Sequence, residues 1–275
     1  MRQRLFIFLI PAFVLVFGTT TQAEPDIRGT LIVIGHSKVK IVVAADSRNL
    51  GSIGSVPSDN TCKILPLNSH SIFTAAGFTA HRDLGRVYWD GFKEATNAFN
   101  HHSTGSPRIL RLAAIEWGNS VAKQINEALK LDKAGIIPMI EQHTFLTGLF
   151  MGFENGSTAM YQVMIKFNPR FQRAEEYLEK EKQRPSLYYG GLGRPEIVNE
   201  VLNDRTDFAK SEIQKWNVLR RPIPIDDRDV FWAIRLVSIG MTYGINKEEI
   251  GGPIDALEIT SRGTRWVQRK AECYW

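Results

Sequence analysis

The chain has 275 residues, with 34 Lys+Arg against 29 Asp+Glu, 43% hydrophobic residues and 23% charged ones. That balance excludes a disordered, collagen-like or multi-span membrane protein, and the length supplies one large domain or two small ones. Two cysteines, Cys62 and Cys273, are too few for a disulfide framework or a thiolate metal site, and the six histidines contain no His-x-x-x-His pair. No metal and no cofactor is expected.

Residues 1–23 read as an export signal. Arg2 and Arg4 precede an uncharged stretch from Leu5 to Gly18, and Thr21 and Ala23 occupy the −3 and −1 positions of a cleavage site. Fourteen helical residues span about 21 Å, short of the roughly 30 Å of a bilayer core. No stable membrane span is expected once the signal is removed, and the protein is expected to be periplasmic or secreted. Loss of Arg2 and Arg4 lowers the net charge from +5 to +3. Without a basic stripe interleaved with aromatics, nucleic acid is not an expected partner. Export permits a Cys62–Cys273 disulfide, which the sequence alone leaves open.

Leu31–Ile34 and Ile41–Ala45 are short β-branched runs around Gly35-His36-Ser37-Lys38, a hairpin pattern. Ser71–Ala76 is a further strand, ending at Gly77. A helix is predicted over 80–100, with Leu84, Val87, Tyr88, Phe92, Ala95 and Phe99 on one stripe. A second helix opens at Ser106-Pro107 and buries Leu110, Ala114, Trp117, Val121, Ile125 and Leu129. Strands 145–153 and 158–167 flank an Asn155-Gly156 turn, the strongest short hairpin signal. The run Arg170–Arg184 mixes both signs and reads as a solvated face. Leu187–Tyr189 is a strand leading into Gly190-Gly191-Leu192-Gly193, and a helix covers about 226–244. Strands Ile254–Ile259 and Thr264–Gln268 close the chain. Runs of strands alternating with runs of helices predict an α+β fold, with two stacked antiparallel sheets between helical layers.

The segment Gly29–Gly77 holds Gly29-Thr30 at a strand start, Ala44-Ala45-Asp46-Ser47-Arg48, Lys63 within Cys62-Lys63-Ile64-Leu65, and Ala75-Ala76-Gly77. In this it resembles the N-terminal-nucleophile hydrolases, most closely the catalytic β-type subunits of the proteasome. The Thr30-to-Asp46 and Lys63-to-Gly77 spacings match that family, and Asp46-to-Lys63 is one residue longer. The resemblance implies a four-layer αββα sandwich over one domain, 30–275, preceded by a 24–29 propeptide remnant. It also implies cleavage between Gly29 and Thr30, with Thr30 as nucleophile and Asp46, Lys63 and Gly77 as its catalytic partners.

The chemistry is coherent with those residue types. A threonine hydroxyl needs a nearby base, and the α-amine freed by cleavage, with a reference pKa of about 8, sits on the same residue. Lys63 would stabilise the developing alkoxide, Asp46 would hold Lys63, and the Gly77 N–H would face an oxyanion. Two places depart from the family. No hydroxyl occurs in Gly190–Gly193, where active subunits carry a Ser between two glycines. The residues before Gly251-Gly252 are Lys247, Glu248, Glu249 and Ile250 rather than a set including Asp and Ser. Support for the base would then come from Glu248, Glu249 or water. The leading expectation is an exported, self-processing threonine hydrolase acting on a peptide or small amide, with homo-oligomerisation open. The alternative is a catalytically silent member serving assembly or binding. The pocket wall would include Asn49–Ser55 and Phe78-Thr79, whose mixed chemistry selects no substrate side chain.

Overall fold

The computed structural model describes residues 30–48, 58–83, 86–103, 108–140, 144–180, 185–203, 205–244 and 249–273. The export signal, the 24–29 segment with Gly29, Leu84, the Ser106-Pro107 start, Glu248 and the 49–55 wall lie outside the described residues.

The first strands are β1 (Leu31–His36), β2 (Ile41–Ala45), β3 (Ile64–Asn68), β4 (Ser71–Gly77), β5 (Ala80–Asp83) and β6 (Arg86–Asp90). Helices α1 (Gly91–His102), α2 (Ile109–Leu131) and α3 (Lys133–Ile140) follow. Next come β7 (Thr144–Glu154), β8 (Ser157–Asn168), β9 (Arg173–Lys180) and β10 (Tyr188–Gly193). Helices α4 (Glu196–Asn203), α5 (Asp207–Leu219) and α6 (Arg228–Tyr243) lead to β11 (Asp255–Thr260) and β12 (Gly263–Gln268). The strands form two five-stranded antiparallel sheets, ordered β10-β1-β2-β11-β12 and β3-β4-β7-β8-β9, with β5-β6 as a separate ribbon. The protein is therefore a mixed α+β fold with two large antiparallel sheets and helices, compatible with a sandwich.

Every residue of β1 is buried. The strand's period of two explains how both faces find cover. Leu31 and Val33 pack with Val230 and Val237 of α6, whereas Ile32 and Ile34 share a core with Ile64, Ile72 and Met151 of the other sheet. A third core joins Phe73 and Phe150 to Trp117 of α2. The expected β1–β2 hairpin is present, with its turn one or two residues later than the sequence suggested. Asn155 and Gly156 both take positive φ between β7 and β8, as the Asn-Gly signal requires.

The helix expected from residue 80 begins only at Gly91. Residues 80–83 and 86–90 instead form the β5–β6 ribbon. Val87, Tyr88 and Trp89 favour extended backbone. The indole N–H of Trp89 donates to the Phe78 carbonyl at 2.9 Å. The helix is then started by Asp90, whose carboxylate accepts the Lys93 N–H at 3.1 Å. The charge-rich run contains a strand, β9, on which only Ala174 is buried, so its solvated character and its pairing with β8 coexist. Among the described residues three α-helices, α4, α5 and α6, lie between β10 and β11, where one over about 226–244 is expected from the sequence.

Candidate active site

Asp46 lies just past the end of β2 and is fully buried. Four hydrogen-bond donors converge on its carboxylate. The Leu31 N–H donates to Oδ1 at 2.8 Å and the Lys63 ammonium to the same oxygen at 2.7 Å. The N–H groups of Arg48 and Gly251 donate to Oδ2, each at 3.1 Å. The Asp46 N–H returns a bond to the Leu31 carbonyl at 3.1 Å. Asp46 thus holds the first residue of β1 by side chain and backbone at once. Thr30 is the residue immediately before it.

Lys63 precedes β3 and is 4% exposed. Its carbonyl accepts the Thr74 hydroxyl at 2.6 Å, which pins the lysine backbone to the neighbouring strand β4. Burial pushes the Lys63 ammonium below the ordinary lysine range, and the charge and hydrogen bond of Asp46 oppose that shift. Asp46 therefore offsets part of the cost of burying the Lys63 charge.

Thr30 is 7% exposed. The alternation of β1 carries it to the same face as Ile32 and Ile34, which look across to the second sheet. Its carbonyl accepts the Arg194 N–H at 2.8 Å. Gly193, paired with Leu31, explains why a glycine-rich strand runs here. Gly193 has φ +88°, and a Cβ on it would sit 1.9 Å from the Thr30 carbonyl oxygen. Gly193→Ala is expected to displace Thr30 and to cost at least about 1–3 kcal/mol in backbone strain alone. Thermal denaturation of that variant checks it, and an unchanged melting temperature would contradict this packing.

Gly77 ends β4 with φ +98°, and a Cβ there would meet the Phe145 carbonyl at 2.4 Å. The Gly77 carbonyl accepts the Thr79 N–H at 2.9 Å. Beside the departures noted in the sequence, Glu249 ion-pairs with Arg194 at 3.0 Å, so it reaches the Thr30 backbone through that arginine. Gly251 binds the loop after β2 twice over, accepting the N–H groups of Ser47 and Arg48 at 2.9 Å.

One group of residues was not anticipated. Lys270 and Asp255 form a second buried ion pair at 2.8 Å, and the Lys270 ammonium also donates to the Thr61 carbonyl at 2.9 Å and to the Ser47 hydroxyl. Ser47 in turn donates to the Pro253 carbonyl. The positive charge of Lys270 adds to the lowering of Lys63. Cys62 and Cys273 are joined in a disulfide, and Cys273 Sγ lies 3.5 Å from Asp255. No local motif marks Lys270, but the two cysteines bracket the arrangement: one adjoins Lys63 and the other follows Lys270 by three residues.

The structure brings Asp46, Lys63 and the backbone on either side of the Thr30–Leu31 peptide together, whereas the contacts of Gly77 are with Phe145, Leu146 and Thr79. No family model and no curated protein matches the chain.

Proposed function

We propose that this protein is an N-terminal-nucleophile hydrolase of the proteasome β-subunit type, exported through residues 1–23 and activated by cleavage between Gly29 and Thr30. One observation carries the reading: the buried Lys63–Asp46 pair at 2.7 Å is tied, through the Leu31 N–H, to the residue that follows Thr30. Three separate cores support the finer four-layer αββα order: helix on sheet, sheet on sheet and sheet on helix. The disulfide supports an oxidising destination. No helix among the described residues is long and apolar enough to cross a membrane.

In this mechanism the freed α-amine of Thr30 takes the hydroxyl proton, directly or through one water, as Oγ attacks a peptide or small-amide carbonyl. The Lys63 ammonium stabilises the charge developing on Oγ, and Asp46 keeps that ammonium charged and aimed. The carbonyl oxygen becomes an oxyanion facing the Gly77 N–H. The C–N bond breaks, the departing amine takes the proton held by the α-amine, and an ester on Thr30 remains. Water, deprotonated by the same amine, attacks the ester; the acyl–Oγ bond breaks, the carboxylic acid leaves and the amine returns its proton to Oγ. In processing the same hydroxyl adds to the Gly29 carbonyl, the Gly29–Thr30 C–N bond breaks as the Thr30 nitrogen takes up the hydroxyl proton, and water hydrolyses the resulting ester to release the upstream segment and free the α-amine.

The absence of a hydroxyl in Gly190–Gly193 favours a second reading, a silent member of the same fold used for assembly or binding. Intact mass and N-terminal sequencing of the purified protein separate the two. The hydrolase is expected to begin at Thr30, to retain its upstream residues as Thr30→Ala, and to be labelled at Thr30 by electrophiles directed at threonine nucleophiles. A stable start at Glu24 with no labelling would establish the silent reading instead.

A further inference from the structure

We propose that His101, His102 and Glu116 form a binding site for one borderline divalent cation of the Zn2+ class, bridging the outer helices α1 and α2. The inference is independent of the hydrolase reading. Three donor atoms, one from each side chain, lie within 4.8 Å of one another. His101 Nδ1 is 2.9 Å from Glu116 Oε2 and 3.1 Å from Oε1, and His102 Nε2 is 2.7 Å from Oε2.

Consecutive residues on an α-helix point about 100° apart, so two adjacent imidazoles do not converge by default. Here they do so through different atoms. His101 uses its near nitrogen and His102 its far one, and the two reaches end at the same carboxylate. The ring centroids are 5.0 Å apart.

The backbone frame beneath them is fixed. One turn along α2 from Glu116, Ser120 donates to Glu94 of α1 at 2.7 Å. The indole N–H of Trp117 donates to the Gly91 carbonyl at 2.8 Å. Both histidines also occupy the last turn of α1, where the partial negative charge of the helix end favours a cation.

The donor chemistry selects the metal class. Two imidazole nitrogens and one carboxylate oxygen suit Zn2+, Ni2+ or Cu2+, whereas Mg2+ and Ca2+ take oxygen ligands. Ligands of a tetrahedral zinc lie about 3.3 Å apart, close to the nitrogen–oxygen distances already present. Metal binding therefore needs the two rings to draw together, with little movement of the carboxylate. His101, 72% exposed on its side chain, leaves the solvent side open for water as a fourth ligand. The cation would take the place of the ring–carboxylate hydrogen bonds and would staple the end of α1 to α2.

The test uses untagged full-length protein freed of metal by chelation and titrated with Zn2+ in equilibrium dialysis. Co2+, followed by its visible absorption, serves as a geometric probe. The expected result is one equivalent bound and a tetrahedral Co2+ spectrum. His102→Ala and Glu116→Gln should each weaken binding by at least about tenfold, and His70→Ala, on an unrelated turn, should not. Zn2+ should raise the melting temperature of the wild type and not of the His102→Ala, Glu116→Gln double variant. No stoichiometric binding, or equal binding by that folded double variant, would overturn the site. Neither result bears on cleavage at Gly29–Thr30.

Discussion

Lys63→Ala is expected to lower hydrolysis by at least about 10²–10³-fold, the scale of losing one preorganised group that stabilises transition-state charge, while leaving the chain folded. The structure says why folding survives. Removing the ammonium leaves the Asp46 carboxylate with three backbone donors, from Leu31, Arg48 and Gly251, and with the Arg48 charge nearby. Those three donors keep both carboxylate oxygens hydrogen-bonded. Asp46→Ala is the converse case. It strips the carboxylate from a buried ammonium and takes the side-chain acceptor from the N–H groups of Leu31 and Gly251, while the Arg48 N–H keeps the Gly251 carbonyl, so a loss of about 3–5 kcal/mol is expected, a large part of a typical domain's stability. Circular dichroism and urea denaturation should therefore rank the variants with Lys63→Ala the more stable, while both lack activity. The pH profile supplies a second reading. Stabilisation by Lys63 requires its charged form, and burial moves that form's loss below the ordinary lysine range. Activity should accordingly fall on the alkaline side before a solvated lysine would titrate. Turnover retained in Lys63→Ala would remove the lysine from the mechanism.

The parts of this site legible in the sequence are those whose signal is local. Asp46 closes an apolar run, Lys63 opens one, and Gly77 ends one, so strand periodicity alone places all three at sheet ends. Asp46 follows β2 and Lys63 precedes β3, strands of different sheets, and the two meet through the 2.7 Å ion pair between them. What could not be read is carried by contacts between distant residues. Lys270 sits in the site because Asp255, Thr61 and Ser47 surround it, and none is its neighbour in sequence. The first turn of α2 also depends on a residue distant in sequence. Arg108 provides no side-chain cap, and the Leu110 N–H is instead satisfied by Glu154, 44 residues later, at 2.7 Å. The helix predicted over 80–100 is present only from Gly91, its first part being replaced by the β5–β6 ribbon for a different reason. Its apolar spacing fits a helix and a ribbon equally, and only the Asp90 cap with the Trp89 hydrogen bond decides between them.

Breaking the Cys62–Cys273 bond, by reduction or as the double Cys→Ser variant, should cost stability far more than activity per folded molecule. The bond spans 211 residues of sequence, and cross-linking so long a loop restricts the unfolded chain by about 5 kcal/mol in the chain-entropy account. For a domain of this size that corresponds to a melting temperature lower by roughly 10–20 °C. The bond also adjoins Lys63, which raises a competing expectation that it positions the lysine. The contacts argue otherwise. Lys63 is held by Asp46 through its ammonium and by Thr74 through its carbonyl, and Thr61, one residue before Cys62, is separately bound by Lys270. Those anchors remain when the sulfurs part. Below its melting temperature the double variant should keep turnover within a few-fold of the wild type, measured beside calorimetry on the same sample. A folded variant with turnover reduced as far as in Lys63→Ala would show that the disulfide sets the lysine's position. An unchanged melting temperature would mean instead that the native cross-link relieves no unfolded-state entropy.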